Sequence, residues 1–239
     1  MRFDCVTRTH VGLRRKINED SLFADPERGL WVVADGMGGH EAGEVASNMV
    51  TDALRCLPPA RNIGELAALA VEALHRVNGE LIELARSDGG TKSRTIGSTI
   101  VGLAIEDGSY SCFWAGDSRA YLIRGGEITR VSRDHSLVQN LVDAGMLRPE
   151  EADTHENANL ITRAVGVGEK FEVDVVSGDA RSGDYFVLAS DGLTRVMRDD
   201  ELAIQLSRGS LGDVADRLVD IVLSRGAPDN VSLIIVKVP

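Results

Sequence analysis

The sequence has few cysteines, a deficit of positive charge and no long apolar run, and each shortage excludes a class of protein. Its three cysteines are odd in number and form no C-x-x-C pair, which is typical of a reducing cytoplasm. The first residues contain no apolar core of a signal peptide. No apolar run approaches the roughly 18 residues that span a bilayer. We therefore expect a soluble cytoplasmic protein without a membrane partner.

The charge balance argues against a nucleic-acid partner. The chain has 26 Lys and Arg against 37 Asp and Glu, a net charge of −11, whereas affinity for phosphate backbones comes mainly from Lys and Arg. A local phosphate site remains compatible with this balance. The chain has 239 residues, 43% of them hydrophobic, and no linker-like segment. We therefore expect one globular domain over 1–239, and we expect it to be a monomer.

Hydrophobic periodicity predicts an α+β protein. Apolar stripes with helical spacing predict helices over 42–57, 66–84 and 211–222, and Pro58 and Pro59 separate the first two. Short apolar runs predict strands over 30–34, 99–105, 110–115, 119–123, 185–190 and 231–238. Between 99 and 131 the strands leave no room for helices, so antiparallel pairing is expected, with helix pairs on the sheet faces. The stretch 132–170 is mixed helix and loop, and is expected to be an insertion over the rim of a site.

Several familiar catalytic motifs fail. A dinucleotide fingerprint beginning at Gly36 would need glycine where the chain has Glu41, and a zincin motif beginning at His40 would need histidine where it has Glu44. A cysteine phosphatase would need arginine six residues after its cysteine. The three positions concerned are Val11, Asn62 and Ser118, so that chemistry is excluded.

Aspartates at the ends of apolar strands are the most informative pattern. They are Asp35, Asp117, Asp191 and Asp229, and the first three are followed by glycine or serine, which predicts tight turns. Any single one is better explained as an ordinary turn. Together, buried carboxylates repel one another and need a compensating cation, and few Lys or Arg residues stand beside them in the sequence. Hard oxygen ligands without His or Cys favour Mg²⁺ or Mn²⁺ over zinc.

Eight short motifs follow one another along nearly the whole chain: G-x-x-R-x-x-N-E-D at 12–20, V-x-D-G-M-G-G-H at 33–40, G-S-T at 97–99, A-G-D-S-R at 115–119, D-H-S at 134–136, N-x-I-T-R-A-x-G at 159–166, S-D-G-L at 190–193 and D-N-V-S at 229–232. In this order they resemble the motifs of the PPM-type (type 2C) metal-dependent serine/threonine protein phosphatases of the compact bacterial kind. The resemblance implies a four-layer α-β-β-α sandwich of two antiparallel sheets flanked by helix pairs, with metals at one end and a flap at about 132–170.

The resemblance also implies a set of metal ligands. Asp35 would bridge two Mn²⁺ or Mg²⁺ ions, with the Gly36 carbonyl as a further ligand. Asp191 and Asp229 would complete the first ion, and Glu19 would serve the second, directly or through water. A further implied role falls to Asp20, which would hold a water on the metal. Asp117, together with Asp191, would supply a third metal site.

Two further residues receive catalytic roles from the resemblance. Arg15 would bind the substrate phosphate, with the neighbouring Arg14 as the less favoured choice. His40 is a candidate general acid that would protonate the leaving-group oxygen. The alternative is a purely structural role at the start of the helix that follows. The flap departs from the family's H-P-x-R-N, since it reads His155-Glu156-Asn157-Ala158-Asn159, so a substrate contact there is in doubt.

The implied activity is hydrolysis of phosphoserine and phosphothreonine in proteins by a metal-activated water, in opposition to serine/threonine kinases. A second hypothesis keeps the fold but assigns dephosphorylation of an anti-sigma antagonist-type regulator, which usually needs a sensor domain. The third is a catalytically inactive phosphoprotein-binding module. That module would be expected to have lost metal aspartates, yet Asp35, Asp191 and Asp229 are all present.

Overall fold

A computed structural model describes residues 3–38, 41–87, 95–206 and 209–239. Its strands are β1 (Asp4–His10), β2 (Asp20–Asp25), β3 (Leu30–Met37), β4 (Gly97–Ser98), β5 (Ile100–Glu106), β6 (Ser109–Ala115), β7 (Arg119–Arg124), β8 (Glu127–Arg130), β9 (Asp174–Asp179), β10 (Tyr185–Ala189) and β11 (Val231–Lys237). Its α-helices are α1 (Ala42–Arg55), α2 (Ile63–Ser87), α3 (Leu137–Asp143), α4 (Asp191–Thr194), α5 (Asp199–Leu206) and α6 (Leu211–Ser224), and Pro149–Thr154 forms a 3₁₀ helix. None of the helices in these ranges has the length and apolar character needed to cross a membrane.

The strands form two antiparallel sheets. The five-stranded sheet has the order β1-β11-β10-β7-β8, and the six-stranded sheet has the order β2-β3-β5-β6-β9, with β4 paired to β3. Strand β11, the last in the chain, lies between β1 and β10. The predicted α+β class is confirmed.

Alternating side chains of the central strands bind the layers together. In β3, Leu30 and Val32 pack against α1 and α2, whereas Trp31 and Val33 face the other sheet, and all four are fully buried. Strand β11 alternates in the same way: Leu233 packs with α5 and α6 on the opposite outer face. Because such strands are buried on both faces, they read as continuous apolar runs. The result is the predicted helix–sheet–sheet–helix sandwich.

Some elements differ from the sequence expectations. Strands β1, β2, β8 and β9 and helices α3, α4 and α5 were not predicted individually. The missed strands are mostly half-exposed and carry polar residues, so they present no apolar run. Helix α2 is longer than the 66–84 expected, and α1 stops at Arg55, ahead of the two prolines.

The tight turns predicted after two of the strand-end aspartates were wrong. Asp35 and Gly36 lie inside β3, because β2 pairs with this stretch on one side and Ser98 of β4 on the other. Asp191 is not in a turn either, since it opens helix α4. Both aspartates are therefore held by regular hydrogen-bonded structure.

Candidate metal centre

Four aspartates from the two sheets meet at one end of the sandwich. In the six-stranded sheet, Asp20 of β2 faces Asp35 of β3 in register. In the five-stranded sheet, Asp191 follows β10 and Asp229 precedes β11. Since these two strands are antiparallel neighbours, the end of one lies beside the start of the other. The side chains of Asp191 and Asp35 come within hydrogen-bonding reach.

Two buried serines connect Asp20 to the opposite sheet. The Ser190 hydroxyl donates a hydrogen bond of 2.9 Å to Oδ2 of Asp20, and the Ser232 side chain also hydrogen-bonds to this carboxylate. The Ser232 amide donates in turn to Ser190 Oγ at 3.0 Å. Both serines are fully buried. Asp20 is thus oriented by the sheet that carries Asp191 and Asp229.

Desolvation and mutual repulsion raise the pKa values of these carboxyl groups. For Asp20, desolvation is the largest cause, Asp191 and Asp229 add their negative charge, and the pKa rises to about 7 in spite of the two serines. Desolvation and the charge of Asp117 raise the pKa of Asp191 to about 6. Desolvation, followed by the charge of Asp20, holds the pKa of Asp35 well above its usual range. Divalent cations would relieve this repulsion.

Glu19 and Gly36 lie directly beside the aspartates. The Oε1 atom of Glu19 is buried and has no hydrogen-bond partner among the described residues. Desolvation raises the pKa of this carboxyl group. The Gly36 amide donates to the Glu19 carbonyl at 3.0 Å, and a Cβ at position 36 would stand 2.0 Å from the Gly43 carbonyl oxygen. Only glycine allows the backbone of β3 to lie this close to Glu19 and α1.

One asparagine shapes the loop that precedes β2. The Asn230 side-chain amide donates to the carbonyls of Val11 and Ile17 at 2.8 and 3.0 Å, and its oxygen accepts from the Glu19 amide at 2.8 Å. The loop 11–19 is therefore attached at three points to the residue that follows Asp229.

Arg15 projects from this loop toward Asp229. Its Nη2 atom lies 2.7 Å from Oδ2 of Asp229, and half of the arginine side chain is exposed. The loop approaches through Gly12, which has a φ of +81° and whose added Cβ would stand 2.2 Å from the Asp229 carbonyl oxygen. Arg14 is also exposed and has no hydrogen bond or ion pair among the described residues.

The structure supplies a second cation that sequence reasoning missed. Arg195 forms ion pairs with Asp117, at 2.7 Å, and with Asp191, at 3.0 Å. The expectation that arginine partners would be scarce beside the aspartates was wrong, because Arg195 lies one helical turn after Asp191 and Arg15 comes from a distant loop. The i, i+4 spacing from Asp191 was the signal that could have revealed Arg195. Asn230 belongs to the matched D-N-V-S motif, but that motif did not indicate its role in anchoring the loop.

The residues present fit a pair of hard divalent cations. Their donors are carboxylate and backbone oxygens, which suit Mg²⁺ and Mn²⁺, and buried oxygens of Glu19 and Asp117 have no partner in the described part of the chain. Over the same residues, no three acidic, histidine or cysteine side chains are already arranged around one point as a closed metal site. Carboxylate oxygens of Asp229, Asp117 and Asp191 instead form ion pairs with Arg15 and Arg195.

A cleft of about 340 Å³ opens from Asp117 and Asp191 toward helix α3 and the 3₁₀ helix. Its far wall belongs to the segment 132–170, which is attached to the body of the protein by a bridge between Ser98 and Val165. A buried ion pair of 2.6 Å between Arg119 and Asp134 holds the base of this segment. Two residues from the matched motifs therefore have a structural role here.

The remaining candidate, His40, lies outside the described residues, as does Gly39. The other sequence-predicted ligands form two neighbouring groups. Asp20, Asp35, Asp191, Asp229 and Glu19 surround the end of β3, and Asp117 joins them through Arg195.

Comparison with known proteins gives the same family throughout. Residues 14–225 match the family model of protein phosphatase 2C. The chain is 36% identical over 231 residues to the serine/threonine protein phosphatase PstP of Mycobacterium tuberculosis, covering 97% of this chain and 44% of PstP. It is 35% identical over 235 residues to the protein phosphatase PhpP of Streptococcus pneumoniae, covering 95% of this chain and 94% of PhpP.

Solved structures show the same fold at high similarity. PppA, a regulatory component of T6SS in Pseudomonas aeruginosa, superposes with a TM-score of 0.91 at 41% identity, covering 99% of this chain and 98% of PppA. The catalytic domain of PstP in complex with two manganese ions superposes with a TM-score of 0.87 at 34% identity, covering 98% and 97% of the two chains. The chain spans under half the length of PstP but nearly all of PhpP. It belongs to the protein phosphatase 2C family.

Proposed function

We propose that this chain is a Mn²⁺- or Mg²⁺-dependent phosphatase that hydrolyses phosphoserine and phosphothreonine in proteins. The observation that supports it most strongly is the convergence of Glu19, Asp20, Asp35, Asp191 and Asp229 beside the guanidinium of Arg15. A concentrated negative site with one exposed arginine is suited to binding cations first and a phosphate second.

In this proposal the ligand set follows the resemblance. Asp35, the Gly36 carbonyl, Glu19, Asp191 and Asp229 would hold the ions, with Asp191 and Asp229 serving the first and Glu19 the second. When bound, the ions would supply a nucleophilic water of lowered pKa. The Asp20 carboxylate, fixed by Ser190, would orient that water.

Arg15 binds the phosphate in our proposal. Its side chain is half exposed and can leave Asp229 once that carboxylate is neutralised by an ion. The planar guanidinium then donates two parallel hydrogen bonds to phosphate oxygens, and it offsets the charge that develops on them. The leaving serine or threonine alkoxide is a poor leaving group and needs a proton, for which His40 is the proposed donor.

The biological setting is part of the same proposal. Relatives named serine/threonine protein phosphatase support phosphoproteins as substrates, with serine/threonine kinases as the opposing enzymes. We further propose that the protein is cytoplasmic, which the low cysteine content supports, and that it is a monomer. The segment 132–170 is proposed to act as the flap beside the cleft.

Hydrolysis of a phosphothreonine peptide tests the proposal. Activity should vanish with excess EDTA and return when Mn²⁺ or Mg²⁺ is restored, one metal at a time. A reductant should not restore the activity, because none of the three cysteines is followed six residues later by the arginine that a cysteine phosphatase needs. Full activity in excess chelator, with no metal found by elemental analysis, would refute the mechanism.

A further inference from the structure

A single guanidinium bridges two carboxylates at the edge of the candidate metal centre. Nη2 of Arg195 lies 2.7 Å from Oδ2 of Asp117, and Nε lies 3.0 Å from Oδ2 of Asp191. The Asp117 side chain is only 6% exposed, and that of Arg195 is 28% exposed. These are the two carboxylates to which the family resemblance assigns a third metal ion.

The backbone holds Arg195 in this position. Asp191 opens helix α4 and Arg195 caps its C-terminal end, with the Arg195 amide donating to the Asp191 carbonyl at 2.9 Å. Residues four apart on a helical turn lie side by side, so the guanidinium reaches the Asp191 carboxylate directly. Desolvation opposes its charge, but Asp191 and Asp117 outweigh that effect and raise the pKa of Arg195.

The charge beside Asp117 disfavours a third ion. Arg15 is the proposed phosphate ligand, so Arg195 is the guanidinium that stays between carboxylates of this cluster, in contact with Asp117 and Asp191. A third divalent ion beside Arg195 would put positive charges next to each other in a desolvated site.

We propose that Arg195 is a built-in cation that takes the place of a third metal ion between Asp117 and Asp191, so that the chain binds two ions. This inference rests on the proposed two-metal function. Besides excluding the ion, Arg195 holds one oxygen of Asp191 and leaves the other for the core site. The buried Oδ1 of Asp117, which has no partner in the described residues, is the ligand that a third ion would use if the guanidinium were removed.

Counting bound Mn²⁺ tests the proposal without reference to activity. Equilibrium dialysis, with free Mn²⁺ measured by its electron paramagnetic resonance signal, is applied to the whole chain. The wild type and Arg195→Lys, which keeps the charge, are expected to bind two ions. Arg195→Ala is expected to bind a third, weaker ion, and the double variant Arg195→Ala/Asp117→Asn should return to two.

The matched control is Arg124→Ala. Arg124 also forms a two-point ion pair with a buried aspartate, Asp184, but outside the acidic cluster, so its loss should leave the ion count at two. Circular dichroism checks that each variant is folded.

The possible outcomes separate this proposal from the function on which it rests. A wild type that binds three ions, one of them lost in Asp117→Asn, overturns the role of Arg195 even if Arg195→Ala fails to fold. A folded Arg195→Ala that still binds two ions overturns it as well. A wild type that binds no ion refutes the two-metal function itself.

Discussion

The guanidinium of Arg15 and the carboxylate of Asp229 lie 2.7 Å apart, although 214 positions separate them in the sequence. This pair joins the residue proposed to bind phosphate to one proposed to bind metal. An ion held by Asp229 would weaken the pair and make the guanidinium available. Metal binding and phosphate recognition are therefore expected to be coupled at this contact.

Removal of the Arg15 side chain should impair phosphate recognition and leave metal binding intact. For Arg15→Ala we expect kcat/KM on a phosphothreonine peptide to fall by about 100-fold, the usual cost of losing one transition-state donor. Calorimetric titration with Mn²⁺ should show the same ion count as in the wild type. Arg14→Ala, in the same exposed loop, is the control and should stay within a few-fold of the wild type. If Arg15→Ala abolished metal binding, its assignment to phosphate would be wrong.

Replacing a core aspartate by asparagine should weaken metal binding as well as turnover. Asp191→Asn or Asp229→Asn removes a proposed ligand of the first ion, so turnover should drop by orders of magnitude and Mn²⁺ affinity should fall in parallel. Asp216→Asn removes an exposed aspartate that pairs with Arg8 on the surface, and it should change neither quantity. Wild-type turnover in either core variant would contradict the ligand assignment.

The metal-free protein should lose stability as the pH rises. The pKa of Asp20 is raised to about 7 and that of Asp191 to about 6, and that of Asp35 is also raised, so the folded state binds more protons than the unfolded chain above about pH 4. Stability from these groups is complete below the unfolded values and declines as pH rises through the folded ones. His135, whose pKa is lowered by desolvation, acts in the other direction but is a single group.

Thermal melts in EDTA at pH 5 and pH 8 measure this dependence. We expect the lower melting temperature at pH 8, and a smaller difference in Asp20→Asn. With Mn²⁺ present the trend should reverse, because the ions bind deprotonated carboxylates and stabilise the folded state. A metal-free melting temperature that rises from pH 5 to pH 8 would contradict the electrostatic account.

Comparing two substrates distinguishes a catalytic role of His40 from a structural one. Nitrophenolate leaves without a proton at neutral pH, whereas a serine or threonine alkoxide does not. His40→Ala should therefore slow hydrolysis of a phosphopeptide by about 10²–10⁴-fold and affect p-nitrophenyl phosphate much less. Equal losses on the two substrates would remove His40 from the proposed mechanism.

The sequence predicted the buried parts of the fold better than its edges. Runs such as 30–34 and 231–238 are apolar because β3 and β11 are covered on both faces. Strands β1 and β2 lie at sheet edges and are half-exposed, so their composition does not distinguish them from loops. Pairing with β2 and β4, which local composition does not encode, turns Asp35-Gly36 from an expected turn into strand.

The same limit applies to the candidate site. The acidic residues were identified from their position after apolar strands, and the structure brings them together. Arg195 and Asn230 act through contacts that depend on how the chain folds back on itself, with Asn230 bound to residues more than 200 positions away. Sequence reasoning could propose ligands, but it could not identify which arginine or amide lies beside them.

The dependence of the loop 11–19 on Asn230 has a consequence for biosynthesis. This loop, which carries Arg15, is synthesised well before Asn230, yet its three anchoring hydrogen bonds come from that residue, just before β11. That strand also fills the gap between β1 and β10. A nascent chain in which β11 has not yet been synthesised therefore lacks the strand that joins β1 to β10, and the loop proposed to bind phosphate lacks its support. Hydrolytic competence should appear abruptly, at the moment β11 docks, and not grow gradually during translation.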